Sequence, residues 1–153
     1  MLLGAVLDRV RRSSIDDVVV VSGAHELETD ARVVHCAEWK RGQGASLRCG
    51  LRALPAETAA AVVVLADGPD LDPRAVDRVL EVWHESRAEV VAATYGGVRL
   101  HPVLLARAVW DRIPDEGART LPGLLVPCDD LTPPGDVDFA DDLPERFGQP
   151  TEE

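Results

Sequence analysis

The sequence predicts an α/β domain in which helices cover both faces of a mostly parallel sheet. Apolar runs such as Asp17–Gly23 (DVVVVSG) and Ala59–Ala66 are continuous rather than alternating, which is typical of parallel strands buried on both faces. Amphipathic helical patterns lie between these runs, as in a series of β–α units. With 153 residues, 46% of them hydrophobic, the chain can bury one core. We therefore expect one domain over residues 1–147 and a loose tail over residues 148–153.

The predicted elements alternate along the chain. Helices are predicted at Leu2–Ser13, Ser46–Leu54, Pro73–Arg87, Val103–Ile113 and Ala140–Phe147. Strands are predicted at Asp17–Gly23, Arg32–Cys36, Ala59–Ala66, Glu89–Tyr95 and near Leu124–Cys128. Ser46 is a candidate cap of the second helix, and Asp72 followed by proline is a typical start of the third. In such a domain, ligands bind beyond the carboxyl ends of the strands.

The charge of the chain restricts its partners. There are 16 Lys and Arg residues against 27 Asp and Glu residues, a formal net charge of −11. Such a surface repels phosphate backbones, which argues against nucleic acid and anionic membranes as partners. No apolar run is long enough for a membrane span, and a homo-oligomer is left open.

The three cysteines are Cys36, Cys49 and Cys128. They are odd in number and form no CxxC pair, so neither a disulfide framework nor a zinc site is expected. We expect reduced thiols in a cytoplasmic protein.

The stretch LADGPDLD places Asp67 directly after the clearest strand. A carboxylate there can point into the ligand crevice and bind a hard cation such as Mg²⁺, which takes oxygen ligands. The alternative is that Asp67 only ends a strand, and the pattern alone does not decide between the two. Asp70 and Asp72 are better explained as a turn residue and a helix cap. Gly23 also lies at the end of a strand.

A second acidic stretch, GDVDFADDL, begins at Gly135. Asp136 and Asp138 flank one apolar residue, so in an extended chain they share one face. Two carboxylates on one face repel each other unless a cation lies between them, which favours a metal site. A solvated acidic loop is the alternative, and it would be the better one if this motif stood alone.

Two further stretches carry a histidine and an arginine. In RLHPVLL, His101 could contact a base or a substrate, although a single histidine is more often structural. In DEGAR, Arg119 could reach a phosphate or a carboxylate, although a surface ion pair is the simpler account.

Taken in order, these stretches resemble the MobA-like nucleotidyltransferase family, in particular its molybdenum-cofactor cytidylyltransferase branch. The family pattern W-x-x-G-x-x-x-S-L-x-x-G-L is matched by Trp39, Gly42, Ser46, Leu47, Gly50 and Leu51. The pattern L-A-D-Q-P is matched by Leu65, Ala66, Asp67 and Pro69, with Gly68 in place of Gln. G-H-P-V-L, G-D-x-G-A-R and D-I-D-T-P-E-D-L are matched in part around His101, Arg119 and Asp136–Leu143. The resemblance covers nearly the whole chain.

The resemblance implies a Rossmann-like nucleotidyltransferase fold with three layers, α/β/α. It also implies that Asp67 binds Mg²⁺, that one or both of Asp136 and Asp138 complete the site, and that Asp67 and Asp138 are catalytic. The residues that would contact the nucleoside triphosphate or the acceptor are Gly23, Ser46, His101 and Arg119. The implied reaction transfers a nucleotidyl group from CTP, or less favourably GTP, to a phosphorylated pterin-type acceptor, and pyrophosphate leaves.

One family element has no match. The family begins with a strand and a glycine-rich loop, L-A-A-G-x-G-x-R-M-G-x-x-K, whereas MLLGAVLDRV resembles the helix that follows that loop. Roughly 25–30 residues would be absent. They would include the first strand of the fold, which lies in the sheet between the strands predicted at Asp17–Ser22 and Ala59–Ala66. Those two strands would pair directly, or another segment would fill the gap, or the natural start lies upstream, which we favour. For the chain as given we expect weak or no activity.

Two other functions are kept as alternatives. A non-catalytic subunit of the same fold would bind a partner without turning over nucleotide. A sugar-nucleotide-dependent glycosyltransferase would also place an Asp–metal site at a strand end. Titration with CTP, GTP and UDP-sugars separates the two enzymes.

Overall fold

The computed structural model describes residues 2–15, 17–22 and 29–135. The helices in these ranges are α1 (Leu2–Arg11), α2 (Gln43–Arg52) and α3 (Pro73–Ser86). The strands are β1 (Val19–Ser22), β2 (Arg32–His35), β3 (Ala60–Val63), β4 (Val90–Tyr95), β5 (Val98–Ala106) and β6 (Leu124–Pro127). Short 3₁₀ turns lie at Trp39–Arg41, Arg107–Arg112 and Ala118–Thr120. No helix within the described ranges is long and apolar enough to cross a membrane.

The described strands form two separate sheets. β1 and β2 pair in parallel, with Val20 opposite Val33. The other four strands lie in the order β3-β5-β4-β6. β5 runs antiparallel to both of its neighbours, whereas β4 and β6 are parallel, so β3, β4 and β6 point the same way. This arrangement of strands and helices confirms the predicted α/β class.

Strand β4 lies at the centre of the core. All six of its residues are buried, because β5 and β6 flank it and helices cover both of its faces. On one face Val91 packs in a cluster with Val79 and Trp83 of α3. On the other face Val90 packs in a cluster with Leu51 of α2 and with the 3₁₀ turn that follows β5. Each such buried apolar side chain contributes about 1.5–3 kcal/mol, and the helix–sheet–helix layering follows from this packing.

Helix α1 packs against both sheets. Leu7 lies in a cluster with Val20 of β1, and Val10 lies in a cluster with Val62 of β3. Among the described residues, however, no backbone hydrogen bond joins β1 to β3. All four residues of β3 stay half-buried although they are apolar. Direct pairing of these two strands, one of the alternatives above, is therefore not observed in the described part of the chain.

The largest departure from the sequence prediction lies between β4 and the end of β5. A helix was expected over Val103–Ile113, but Val98–Ala106 is a strand and a 3₁₀ turn follows it. Gly96 and Gly97 have φ of 59° and 81°, the left-handed values that a two-residue hairpin turn requires. The hairpin places β5 against β4, and pairing with β4 overrides the helical spacing of the apolar residues.

Helix α2 begins three residues earlier than predicted, and Ser46 is not its cap. Gly42 occupies the cap position, with φ of 133°. A Cβ atom on Gly42 would lie 2.3 Å from the carbonyl oxygen of Asp115, so only glycine fits there. Helix α3 starts as predicted, because the carboxylate of Asp72 accepts a first-turn N–H at 2.9 Å. The predicted helix Ala140–Phe147 lies outside the described residues.

The expectation of reduced thiols is wrong for two of the three cysteines. Cys36 and Cys49 form a disulfide that joins the end of β2 to α2. Their separation of 13 residues gives no sequence signature. The packing of α2 beside β1, where Gly50 lies against Val21, brings the two cysteines together. Cys128 is a free, buried thiol.

Candidate functional site

The chain turns sharply after β3, and Asp67 lies in this turn. The N–H of Gly68 donates to the carbonyl of Leu65 at 3.2 Å, and the N–H of Leu71 donates to the carbonyl of Gly68 at 3.2 Å. Asp67 is half-buried, and its Oδ1 atom is shielded from solvent. The local fold therefore places a partly desolvated carboxylate beyond the carboxyl end of β3, which ends at Val63 rather than at the predicted Ala66, so Asp67 does not follow the strand directly.

His101 lies beneath the same turn and is 6% exposed. Its Nδ1 atom accepts the N–H of Leu65 at 3.4 Å. The hydroxyl of Tyr95 donates to the carbonyl of His101 at 3.1 Å and so fixes its backbone. Burial lowers the pKa of His101 from 6.5 to about 4, so the imidazole is neutral at pH 7.

The segment that leads into the second acidic stretch reaches this turn as well. The N–H of Asp70 donates to the carbonyl of Pro134 at 2.9 Å. Gly135 has φ of 79°, and a Cβ atom there would lie 3.0 Å from Oδ2 of Asp70. The chain therefore enters GDVDFADDL from a point held against the Asp67 turn. The predicted site residues that lie outside the described residues are Gly23, Asp136 and Asp138.

Ser46 and Arg119 lie in a second region. None of the contacts between the described residues joins either of them to the Asp67 turn. Ser46 is half-buried in the first half of α2. Arg119 is exposed on the 3₁₀ turn Ala118–Thr120. The guanidinium of Arg99 donates to two carbonyls of this region, at 2.6 Å and 3.1 Å, and so fixes the segment that presents Arg119.

An ion pair that the sequence did not indicate ties α2 to the same region. The guanidinium of Arg48 donates to the carbonyl of Ile113 and to the carboxylate of Asp115, and its side chain is only 15% exposed. Arg41 lies 3.5 Å from the same carboxylate. The hydrogen bond from Arg48 is the largest cause that lowers the pKa of Asp115, with the charge of Arg41 adding to it. Asp115 is thus an ion-pair residue, with one partner on α2 and the other on the preceding turn.

Sequence reasoning missed Arg48 and Arg99 because their partners are distant or are backbone carbonyls. Arg48 and Asp115 are 67 residues apart. The one available signal was a charged residue beside Leu47 and Leu51 on the apolar side of α2.

A carboxylate such as that of Asp67 is the kind of ligand that a hard divalent cation takes. In the described ranges, 2–15, 17–22 and 29–135, no group of three or more His, Cys, Asp or Glu side chains is placed to hold a metal ion. Of the three predicted metal ligands, Asp67 lies within the described ranges, whereas Asp136 and Asp138 lie outside them.

The described residues form an α/β domain with a carboxylate beyond the end of a strand. Residues 1–127 match the model of the MobA-like NTP transferase domain. The chain therefore belongs to this family, which confirms the resemblance of its motifs.

Solved structures agree with this assignment. Rv0371c from Mycobacterium tuberculosis H37Rv is 25% identical, with a TM-score of 0.69 over 90% of this chain and 79% of that chain. The complex of Rv0371c with manganese is 25% identical, with a TM-score of 0.71 over 92% and 83%. The Rv0371c homolog from Mycobacterium sp. strain JC1, at 23% identity and a TM-score of 0.71 over 90% and 77%, shares the fold. No curated protein sequence matches the chain.

Proposed function

We propose that this domain transfers a nucleotidyl group from a nucleoside triphosphate to a phosphorylated pterin-type acceptor. CTP is the first candidate for the donor, and GTP is the second. Family membership supplies the general activity, nucleotidyl transfer from a nucleoside triphosphate. The choice of nucleotide and acceptor rests on the resemblance of the motifs to the molybdenum-cofactor branch. The observation that carries the proposal is the hydrogen bond between Asp70 and Pro134, which holds the chain entering Asp136 against the Asp67 turn.

Asp67 is proposed to bind a divalent cation, with Asp136 and Asp138 as further ligands. The shielded Oδ1 atom of Asp67 supports this role, because a charge interaction is stronger away from water. When bound, Mg²⁺ would offset the charge on the triphosphate oxygens. The same cation would let a chain of net charge −11 attract an anionic substrate. The manganese complex of Rv0371c supports a divalent-cation site in this fold.

Arg119, Ser46 and Gly23 are proposed to contact the triphosphate or the acceptor. Arg119 is exposed, and Arg99 fixes the segment that presents it, so its guanidinium can reach an anionic oxygen without reordering the backbone. We expect turnover by the 153-residue chain to be slow or absent, because its sequence has no glycine-rich phosphate loop. Binding is therefore a sharper test than catalysis.

The test is calorimetric titration of the chain with CTP, GTP and a UDP-sugar, each with and without Mg²⁺. CTP is expected to bind most tightly, and only with the cation. Asp67→Asn keeps the side-chain shape but removes the charge, and it is expected to abolish the cation-dependent part of binding. Asp111→Asn, an exposed carboxylate away from the predicted site residues, is the matched control.

Tighter binding of the UDP-sugar than of CTP would favour a glycosyltransferase. Absence of nucleotide binding under both conditions would contradict the proposal and favour the non-catalytic subunit. Cation-dependent CTP binding that survives Asp67→Asn would remove Asp67 from the site.

A further inference from the structure

His101 contacts the chain on both sides of Asp67. Its Nδ1 atom accepts the N–H of Leu65, two residues before the carboxylate. Its ring lies against Gly68, one residue after the carboxylate. One buried side chain therefore fixes the backbone at both ends of the short segment that carries Asp67.

The close approach of the ring requires glycine at position 68. A Cβ atom on Gly68 would lie 2.6 Å from Cε1 and 2.7 Å from Nε2 of His101, and 3.0 Å from Cβ of Pro134. Contacts of this length are not tolerated in a packed interior without movement of the neighbours. The backbone at Gly68 is therefore held between His101 and the segment that leads to the second acidic stretch.

The hydrogen-bonding state of His101 is unusual for a plain core residue. Because Nδ1 accepts a hydrogen bond, the neutral ring carries its proton on Nε2. Nε2 is buried and has no partner among the described residues. A buried donor without a partner is costly, and such exceptions call for an explanation, often functional.

We propose that His101 is a positioning residue that directs the carboxylate of Asp67 toward a divalent cation through its contacts with Leu65 and Gly68. This inference rests on the proposed function, since it assigns the cation to Asp67. The sequence predicts a direct contact of His101 with substrate, whereas here His101 acts through Asp67. The hydroxyl of Tyr95 in turn fixes the backbone of His101.

The test uses Mn²⁺ alone as the probe, at neutral pH, with the free ion measured by electron paramagnetic resonance. His101→Ala and Gly68→Ala are each expected to raise the Kd for Mn²⁺ about tenfold, because the ligand turn moves from its position. Asp67→Asn is expected to abolish binding. In the His101→Ala background, Gly68→Ala is expected to cost less than about threefold, because the ring that its Cβ would strike is gone.

Matched variants control for the loss of glycine and of histidine. Gly4→Ala introduces a Cβ with no atom within 4 Å, and His84→Ala removes an exposed histidine. Both are expected to keep the wild-type Kd. His101→Asn is expected to recover most of the affinity that His101→Ala loses, because its amide oxygen can accept the N–H of Leu65.

A folded His101→Ala chain with an unchanged Kd would overturn the inference, as would a Gly68→Ala penalty that is the same with and without His101. A purely structural role would lower the thermal unfolding midpoint but leave the Kd unchanged. Should His101→Ala not fold, Gly68→Ala decides in its place, and an unchanged Kd overturns the inference. If Asp67→Asn keeps the wild-type Kd, the proposed function fails instead, because the cation is not on Asp67.

Discussion

Cys36 and Cys49 are joined by a disulfide that closes a loop between positions 13 residues apart. The loop carries Trp39 and Gly42, and it leads the chain from the end of β2 into α2. Cys36 is 1% exposed, whereas Cys49 is half-buried, so one end of the crosslink is buried and the other is partly accessible. Because Cys49 lies in the second half of α2, the disulfide ties that part of the helix to the end of β2. Because two of the three cysteines form a disulfide, reduced thiols no longer support a cytoplasmic location, which stays a prediction.

Removal of this disulfide is expected to destabilise the domain. The double variant Cys36→Ser/Cys49→Ser should lose about 3 kcal/mol in free energy of unfolding, because a crosslink over a loop of this length restricts the unfolded chain. Urea denaturation with and without a reductant measures the loss. The reductant should destabilise the wild type and leave the double variant unchanged. A wild type that does not respond to the reductant would show that the bond is not formed.

The contact of Arg48 with the carbonyl of Ile113 gives a second prediction. Arg48→Ala leaves this carbonyl without its partner in a residue that is 2% exposed, so we expect a loss of about 1–2 kcal/mol in free energy of unfolding. Arg112→Ala is the matched control, because Arg112 pairs with Glu89 on the surface, where both side chains are more than half exposed. Its effect should stay within about 0.5 kcal/mol. Equal effects of the two variants in urea denaturation would contradict a special role for Arg48.

The elements that the sequence predicts best are those whose signals are local. The cap at Asp72 and the apolar face of α3 lie within a few residues of each other, and the structure has both as predicted. Strand β4 is also recognisable, because a strand buried on both faces is apolar throughout. The Asp67 turn follows from the same local pattern, since a Gly-Pro pair comes after an apolar run.

The features that the sequence did not predict depend on pairing between distant segments. The apolar residues from Val103 to Leu105 fit a helix or a strand equally well, and the hairpin at Gly96–Gly97 decides for a strand. The Gly-Gly pair is a turn signal in the sequence, but the helix prediction over Val103–Ile113 does not take it into account. The disulfide and the Arg48–Asp115 contact have no local signal, because each needs α2 to be packed in place first.

The buried imidazole of His101 predicts a particular dependence of stability on pH. The pKa of His101 in the folded protein is about 4, below the value of about 6.5 expected in the unfolded chain. Between these values the unfolded chain binds more protons, so stability is full above about pH 6.5 and falls as the pH falls toward 4. The loss attributable to this group is up to about 3 kcal/mol. Urea denaturation across this range measures it.

His101→Gln is expected to flatten the stability profile between pH 4 and pH 6.5. His84→Ala, which removes an exposed histidine, should keep the wild-type slope. The carboxylates of Asp72 and Asp130 have lowered pKa values, chiefly through hydrogen bonds from Arg74 and Arg78. The stabilisation that they contribute is therefore lost mainly as the pH falls below the ordinary carboxylate pKa, which lies under this window. A slope that persists in His101→Gln would assign the effect to other groups.

Within the described part of the chain, β1 and β3 each have a strand on one side only, and this arrangement predicts uneven hydrogen exchange across the two sheets. Strand β4 has hydrogen-bonded neighbours on both sides, whereas β1 and β3 each have one neighbour among the described residues. Alternate amides of a strand point to opposite sides, so among residues 19–21 of β1 and in β3 the amides that face away from β2 and β5 have no strand partner in the described part of the chain. We expect these amides to exchange at least about a hundredfold faster than those of Val91 and Ala93 in β4.

Amide exchange followed by NMR, under conditions where the whole domain stays folded, tests this expectation residue by residue. The half-buried state of all four residues of β3 supports it, since a strand of the same composition in the centre of a closed sheet would be buried like β4. Equal protection of β3 and β4 would show that the edge of β3 is covered in solution. Protection of β3 without protection of β1 would show that a segment covers the edge of β3 alone. Protection of both strands would instead indicate a strand that lies between β1 and β3 and pairs with each of them.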